Sequence, residues 1–470
     1  MAQRPPGRPP TSRSSSSSPV PVAVLWFRRD LRLGDHPALL AAAADGEVLP
    51  LFVVDPALWG PSGDVRRAYL LRSLRALDAD LGGSLVVEEG DPAQVVPRVA
   101  ARVGAARVHV SADAGPYGRR RDTAVEQALA AADRELVRTG SPYAVGPGTL
   151  RTGSGSPFQV FTPFSRAWHA HGWHAPAERP GNVRWIRDGD GVDGPGWPQE
   201  PDLGELRFPE AGEDAARARW RTFLTDRVGD YDEARDRPDL DGTSQLSHAL
   251  KWGEVHPRTL LADLAHDPSR GAATYRTELC WRDFYADVLW HRPETARTYY
   301  RPQLAALAYD EPGEQFRAWA QGRTGFPVVD AGMRQMRAVG WMHNRVRMIV
   351  ASFLVKDLHV EWMHGGREFM HRLRDADLAS NMHGWQWVAG SGTDAAPFFR
   401  VFNPVTQGLK SDPHGDYVRR WVPELRHLPG KAAHTPWDAP DGYAHGYPER
   451  IVDHAEERRV ALAEYERIRR

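Results

Sequence analysis

Cysteine is almost missing: Cys280 is the only one in 470 residues. Its scarcity excludes disulfide frameworks, Cys-rich zinc sites and iron–sulfur clusters together, so no metal site is expected. A reducing compartment fits, and a cytoplasmic location is the expectation. Net charge is missing too, at −1 with neutral histidines. A polyanionic partner must therefore be met by a local basic face, because the protein as a whole exerts no field to draw it in. Long apolar runs are absent: the best, MIVASFLV at 348–355, is far short of a bilayer span and is bracketed by Arg347 and Lys356. No G-x-G-x-x-G follows the first apolar run, and GSGS at 153–156 leads into FQVFTPF rather than a helix, so no dinucleotide site is expected in that half. No fixed-period repeat is visible. Residues 1–19, MAQRPPGRPPTSRSSSSSP, carry neither acid nor a hydrophobic stretch; they fail as a secretory signal and read as a disordered tail.

What is present divides the chain. Its length exceeds one ordinary core, and a hydrophobic fraction of 41% supports two. From 20 to 150, short β-branched runs alternate with Ala/Leu/Arg segments: VAVLWF (22–27), VLPLFVV (48–54), SLVVEE (84–89), RVHVSA (107–112) and YAV (143–145), with helices predicted at 65–81 and 118–138. That alternation predicts an α/β domain built on a doubly wound parallel sheet. Residues 151–210 read as an interdomain connection, most clearly over 180–210, where DGDGVDGPGWPQEPDLG is loop chemistry. Residues 211–470 read as all-helical and aromatic-rich, with ten of the 17 tryptophans beyond residue 250.

Chemistry gathers in that helical half. In RTELCWRDFYADVLW (276–290), Glu278, Trp281, Arg282 and Tyr285 share one helix face, a combination that suits the lining of a polar cavity. Asn344, Arg347 and Met348 share another face in GWMHNRVRMIVASFLVK (340–356). An ion pair with ordinary packing explains either helix taken alone. DGTSQLS (241–247) offers hydroxyls and backbone N–H groups at a predicted helix start, a phosphate cradle or simply a cap. Arg323, Arg334, Arg337, Arg345, Lys356, Arg367, Arg372, Arg374 and Arg400 concentrate in the region holding Trp281, Trp341 and Trp387. Basic residues around an aromatic hollow suit a nucleic-acid backbone with a base-sized pocket; a solvated helix face is the alternative.

TSQLS, ELCWRDFY, TGFPVVDAGMRQMRAVGWMHNRVRMIVASFLVKDL and DADLASNMHGWQWVAGSGTDAAPFFRVFNP, in this order, resemble the DNA photolyase/cryptochrome family, with the likeness running from LWFRRDLRLGDHPAL to about WVPEL. The nearest type is the class I cyclobutane pyrimidine dimer photolyase with a deazaflavin antenna. The resemblance implies an antenna-binding α/β domain, a helical domain holding FAD, and light-driven repair of UV-damaged DNA with the pyrimidine dimer flipped out; a blue-light photoreceptor is the competing reading. It implies that Tyr231, Thr243, Ser244, Gln245, Leu246 and Ser247 hold the pyrophosphate and ribityl part. Arg282, Asn344, Arg347, Asp375, Asp377 and Asn381 surround the rest, with the Asn381 amide oxygen facing N5–H of a reduced flavin. Glu278, Asn344, Met348, Trp281 and Trp387 line the lesion pocket, and Arg235, Arg345 and Arg400 meet DNA phosphates. An electron relay is implied from Trp385 through Trp362 outward, where Tyr309 replaces the usual outermost tryptophan. Met382 and His383 stand where relatives often have Asn-Gly. Asp113, before the PYG turn, and Lys251 point to 8-hydroxy-5-deazaflavin as antenna. The C-terminal pattern, with no long tail after the last helix, favours repair over signalling, and a monomer is expected.

Overall fold

The computed structural model describes residues 20–187, 197–393 and 399–469. The expected N-terminal tail, all of the DGDGVDGPG run and the end of the GSGTDAAP loop lie outside them.

Five short strands, β1 (Val22–Phe27), β2 (Glu47–Val54), β3 (Val86–Glu89), β4 (Arg107–Val110) and β5 (Glu135–Arg138), form one parallel sheet in the order β3-β2-β1-β4-β5. The register runs Val22 to Glu47 and Ala23 to Arg107 about the central strand. β1 and β2 are apolar almost throughout because helices cover both faces. Those helices are α1 (Pro37–Asp45), α2 (Asp64–Asp80), α3 (Pro92–Arg102) and α4 (Pro116–Ala130). Pro at the first turn starts three of them, where its missing N–H costs nothing.

Two elements differ from the sequence reading. The helix predicted to run to 138 stops at Ala130; Asp133, at φ 54°, turns the chain, and ELVR becomes the edge strand beside β4. YAV at 143–145 is therefore not a strand. Val145 N–H donates to Asp283 Oδ2 at 3.0 Å, and its side chain is buried in the helical half. FQVFTPF also does enter a helix, α5 (Phe161–His171), because Pro163 sits in its first turn, where no backbone donor is needed. α5 lies inside the stretch expected as a connection, and Phe161, Phe164 and Trp168 pack into the helical core.

The helical half is organised by α6 (Glu213–Asp226), α7 (Ser247–Trp252), α8 (Arg270–His291), α9 (Pro327–Val339), α10 (Asn344–Lys356), α11 (Trp362–Arg372) and α12 (Leu378–Ala389), with α13 (His454–Arg469) at the end. Side-chain caps start the three that matter most for the site. Ser269 accepts from Ala272 N at α8, His343 from Arg345 N at α10, and Asp377 from Ser380 N at α12. The halves are sewn together around α7: Leu31 N donates to the Trp252 carbonyl, Arg258 pairs with Asp35 at 2.6 Å, and Glu254 accepts from Tyr69. No helix among the described residues is long and apolar enough to cross a membrane.

Candidate cofactor and nucleic-acid site

α10, α11 and α12 line a pocket open to solvent, with a cavity volume of about 140 Å³. Asn344, Arg347 and Met348 enter it from α10, Phe369 from α11, Asp375 and Asp377 from the turn before α12, and Asn381, Gly384 and Trp385 from α12. Spacing explains the set: Asn381, Gly384, Trp385 and Val388 recur at three and four residues on one helix face. Arg347 donates to Asp375 Oδ2 at 2.8 Å and to the Met342 carbonyl at 2.8 Å. Asp375 Oδ1 is buried with no hydrogen-bond partner among the described residues, a vacancy that calls for a donor. The Asn381 amide nitrogen donates to the Gly366 carbonyl at 3.0 Å, which leaves its oxygen as the acceptor. A Cβ at Gly384 would touch nothing within 4 Å, so the helix backbone there lies open to a flat ligand. Two oxygen acceptors, one guanidinium and an apolar slot suit a planar heteroaromatic ring with donors and acceptors along its edge, and a flavin has that pattern.

Behind Asn381 the environment is apolar on one side and aromatic on the other. Its Nδ2 lies 3.7 Å from Met382 Sδ, and the buried His383 ring stacks on Tyr285 with centroids 5.8 Å apart. Burial pulls the His383 pKa down to about 4, so the imidazole is neutral.

The TSQLS segment sits before α7. Ser244 Oγ and Tyr275 OH share a hydrogen bond of 2.8 Å, Leu246 N donates to Ser244 Oγ, and Trp341 Nε1 donates to Ser247 Oγ at 3.3 Å. Gln245 holds a positive φ of 51° and donates to Asp241. Tyr231 packs edge-on against Tyr275 and Phe223. Thr243, Ser244 and Gln245 also line a second hollow with Arg219, Arg227 and Asp241.

The α8 face divides. Glu278 accepts from Arg235 at 2.5 Å; burial raises its carboxyl above the usual range while Arg235 works against that. Trp281 stacks flat on Phe161, with centroids 3.6 Å apart. Arg282, by contrast, spends its donors on the carbonyls of Pro142 and Leu250 and lies over Tyr143 at 4.5 Å, bracing the junction of the two halves. It is not among the residues lining the α10–α12 pocket.

A continuous line of contacts joins that pocket to α8. Arg345 Nη1 lies 3.9 Å from Met348 Sδ, Arg345 grips Asp236 with two hydrogen bonds of 3.1 and 2.6 Å, Asp236 reaches Arg235 at 4.0 Å, and Arg235 holds Glu278. Arg400 is exposed. The rest of the basic cluster is not one open face: Arg334 pairs with Glu424, Arg372 with Glu368, and Arg374 is buried against the Val339 carbonyl. Lys356 is buried over Phe399, and burial pulls its pKa down to about 7.

Trp385 is buried, edge-on to Trp319 at 6.1 Å and to Phe369 at 5.0 Å. Gly365 allows the approach of α11, because a Cβ there would meet the Trp385 ring at 2.1 Å. Trp362 is fully buried at the start of α11, and Tyr309, half-buried, donates to the Leu304 carbonyl at 3.3 Å. Trp387 is half-buried on the opposite flank of α12. Trp319, Tyr299 and Asp236 had no sequence signal: each is an unremarkable residue until the fold sets it beside Trp385, Trp362 or the arginines.

At the junction of the halves, Arg29 pairs with Asp377 at 2.6 Å. Burial works against the Asp377 charge, yet Arg29 and Lys251 together hold its carboxyl well below the usual range. Asp113 accepts from Gly115 N at 3.0 Å and from Arg121 at 3.1 Å. The Lys251 ammonium lies over Trp252 at 5.2 Å; burial and nearby Arg29 pull its pKa down to about 7.

Residues 275–467 match the model of the FAD binding domain of DNA photolyase, and 23–181 match that of DNA photolyase. A deoxyribodipyrimidine photo-lyase of Streptomyces griseus is 42% identical over 95% of this chain and 99% of its own length. A bacterial class III photolyase from Agrobacterium tumefaciens superposes with a TM-score of 0.90 at 37% identity, covering 97% of this chain and all of that one. An archaeal photolyase from Sulfolobus tokodaii, solved with two FAD molecules, gives 0.80 at 28% identity over 95% of this chain and all of its own.

Proposed function

The chain belongs to the DNA photolyase family, and we infer that it splits cyclobutane pyrimidine dimers in DNA under light, as a deoxyribodipyrimidine photo-lyase. Bound FAD, once reduced and excited by light, supplies the electron that opens the ring and receives it back. The chain's own residues hold, orient and insulate. Asn381 presents its amide oxygen into the pocket, and Asp375 presents a buried carboxylate oxygen. The Arg347 guanidinium, paired with Asp375, adds positive potential where a reduced ring carries negative charge. Thr243, Ser244, Gln245, Leu246 and Ser247 offer hydroxyls and backbone N–H groups to the phosphates, and Tyr231 closes the wall beside them. Arg282 supports this pocket from outside, as the brace between Pro142 and Leu250.

The observation that carries the repair reading is the contact line from pocket-lining Met348 through Arg345, Asp236 and Arg235 to Glu278. That line connects the Met348 thioether on the pocket wall with a carboxyl whose pKa burial raises. Once Arg235 turns to a DNA phosphate, burial favours proton uptake by Glu278, which can then donate to a carbonyl oxygen that gains charge as the dimer is reduced. Asn344 adds an exposed amide, and Trp281 and Trp387 supply flat faces for a flipped-out pair of bases. Arg235, Arg345 and Arg400 serve the phosphates, the first two by leaving Asp236 and Glu278 for the stronger anion. Within the family, the class I, deazaflavin-antenna reading is supported by Lys251: a half-buried ammonium with no carboxylate within salt-bridge reach among the described residues suits an anionic ring, and the 8-hydroxyl of a deazaflavin is a vinylogous acid. Asp113 is near enough to act on the Lys251 charge and lines a separate hollow with Arg119 and Trp290. The structural likeness to a class III enzyme weighs on the other side.

The test mixes dimer-containing oligothymidine with chemically reduced protein and follows the return of thymine absorbance. Recovery in light and none in darkness is expected; equal recovery in darkness defeats the assignment. Extraction of the second chromophore, read by its absorption spectrum, tests the antenna.

A further inference from the structure

Trp362 is fully buried, and its indole N–H meets no hydrogen-bond acceptor among the described residues. An indole oxidised there has nowhere nearby to shed its proton and stays a strongly oxidising cation. The ring set edge-on against it is Tyr299, with centroids 5.9 Å apart and planes at 88°. Tyr299 is itself buried, and its hydroxyl donates to Glu361 Oε1 at 2.8 Å. Glu361 directly precedes Trp362 at the N-cap of α11, so one backbone turn holds both the indole and the carboxylate. Tyr309 lies beside Tyr299 with its own hydroxyl donated to the Leu304 carbonyl at 3.3 Å. Burial raises the Tyr299 phenol far above its usual range, so it is uncharged before oxidation and must lose a proton with the electron.

We propose that Tyr299, not Tyr309, is the residue that returns an electron to Trp362, with Glu361 accepting its proton. This rests on the Trp385 to Trp362 relay, in which light-excited oxidised flavin is the original oxidant. The step balances: one electron passes from Tyr299 to the Trp362 radical cation, the phenolic O–H bond breaks, and a new O–H bond forms on the Glu361 carboxylate. Neutral indole, neutral tyrosyl radical and neutral carboxylic acid remain. Tyr309, once its hydroxyl turns from the Leu304 carbonyl, can then pass a hydrogen atom to the Tyr299 radical, which moves the radical away from Trp362.

The test uses full-length protein loaded with oxidised FAD. A blue flash is followed by transient absorption of tryptophan and tyrosyl radicals, and by freeze-quench electron paramagnetic resonance on protein carrying ring-deuterated tyrosine. In the unsubstituted protein a tyrosyl signal should replace that of Trp362, more slowly in D2O. Tyr299→Phe, which keeps the ring packing, should lose the tyrosyl signal and extend the Trp362 radical, while flavin content and circular dichroism stay normal. Glu361→Gln, which keeps an acceptor but cannot take the proton, should slow the transfer by on the order of 10²-fold. Tyr309→Phe should retain the signal. An unchanged tyrosyl signal in Tyr299→Phe, its loss in Tyr309→Phe alone, or a signal of unchanged rate in Glu361→Gln overturns the proposal. Trp385→Phe separates the two levels: full tyrosyl formation there means the relay itself is wrong, whereas silence there with an unaltered Tyr299→Phe defeats only the role of Tyr299.

Discussion

Glu278 shows what a single side chain contributes. Its carboxyl is held by Arg235 and its pKa is raised by burial, and it is not among the residues lining the α10–α12 pocket, which accords with the proposed action on the substrate. Glu278→Ala should lower the quantum yield of ring splitting, with the loss of one hydrogen bond to a charged group costing about 1.5–3 kcal/mol, while FAD stays bound. Flavin content after purification checks the second half, and loss of flavin contradicts the assignment. Gly384 works by absence. Its missing side chain leaves helix backbone open to the pocket. Gly384→Leu should fill that slot, weakening FAD binding by about 1–3 kcal/mol, yet leave the apoprotein as stable or slightly more so, because leucine is the better helix former. Flavin titration and a thermal melt of the apoprotein separate the two effects.

At the scale of elements, α11 and α12 work as a pair. Gly365 lets them touch, and their contact holds Trp385 at the pocket wall against α11, the helix that Trp362 begins. Repair returns its electron at each turnover, so it draws on no outside supply once the flavin is reduced; photoreduction does draw on one. Trp385→Phe should therefore abolish photoreduction of oxidised FAD and spare repair by protein reduced chemically beforehand, since phenylalanine is too hard to oxidise. Flash photolysis with an external reductant decides: an unchanged rate of flavin reduction refutes the relay. Trp319, also edge-on to Trp385, is the neighbour through which any residual reduction would pass.

For the whole molecule, the junction of the halves carries a charge that folding disfavours. An unfolded lysine titrates near pH 10.4, whereas Lys251 does so at about 7. Between these values the unfolded chain binds one more proton, so stability rises with pH across that window, and the cost of the buried cation is complete below it. Lys251→Met should raise the apoprotein Tm at pH 7 by about 2–4 °C and abolish retention of an anionic antenna. Lys356, also held near 7, gives a slope of the same sign, so the substitution should reduce the rise without removing it. Melts between pH 6 and 10, with and without chromophore, check both statements; a Tm lowered at pH 7 goes against them.

Periodicity and punctuation were enough to read the parallel sheet, the helical second half and the faces of α8, α10 and α12, because those features are local: apolar runs make buried strands, and spacing of three and four makes a helix face. The ordered motifs likewise carried the family, and with it the residues Asn381, Arg347 and Trp385 that the fold gathers around one pocket. What depended on distant partners was hidden. YAV looks like a strand until Asp283, 138 residues away, captures its backbone. FTPF looks like loop until the helical core receives its phenylalanines. Arg282 shares a face with Glu278 in sequence, but carbonyls from two other segments turn it to the junction. Tyr299 was one of two adjacent tyrosines with nothing to mark it. Only packing decided that its ring lies against Trp362 and its hydroxyl on Glu361, since contact between side chains 62 residues apart is a property of the folded core and not of any spacing along the chain.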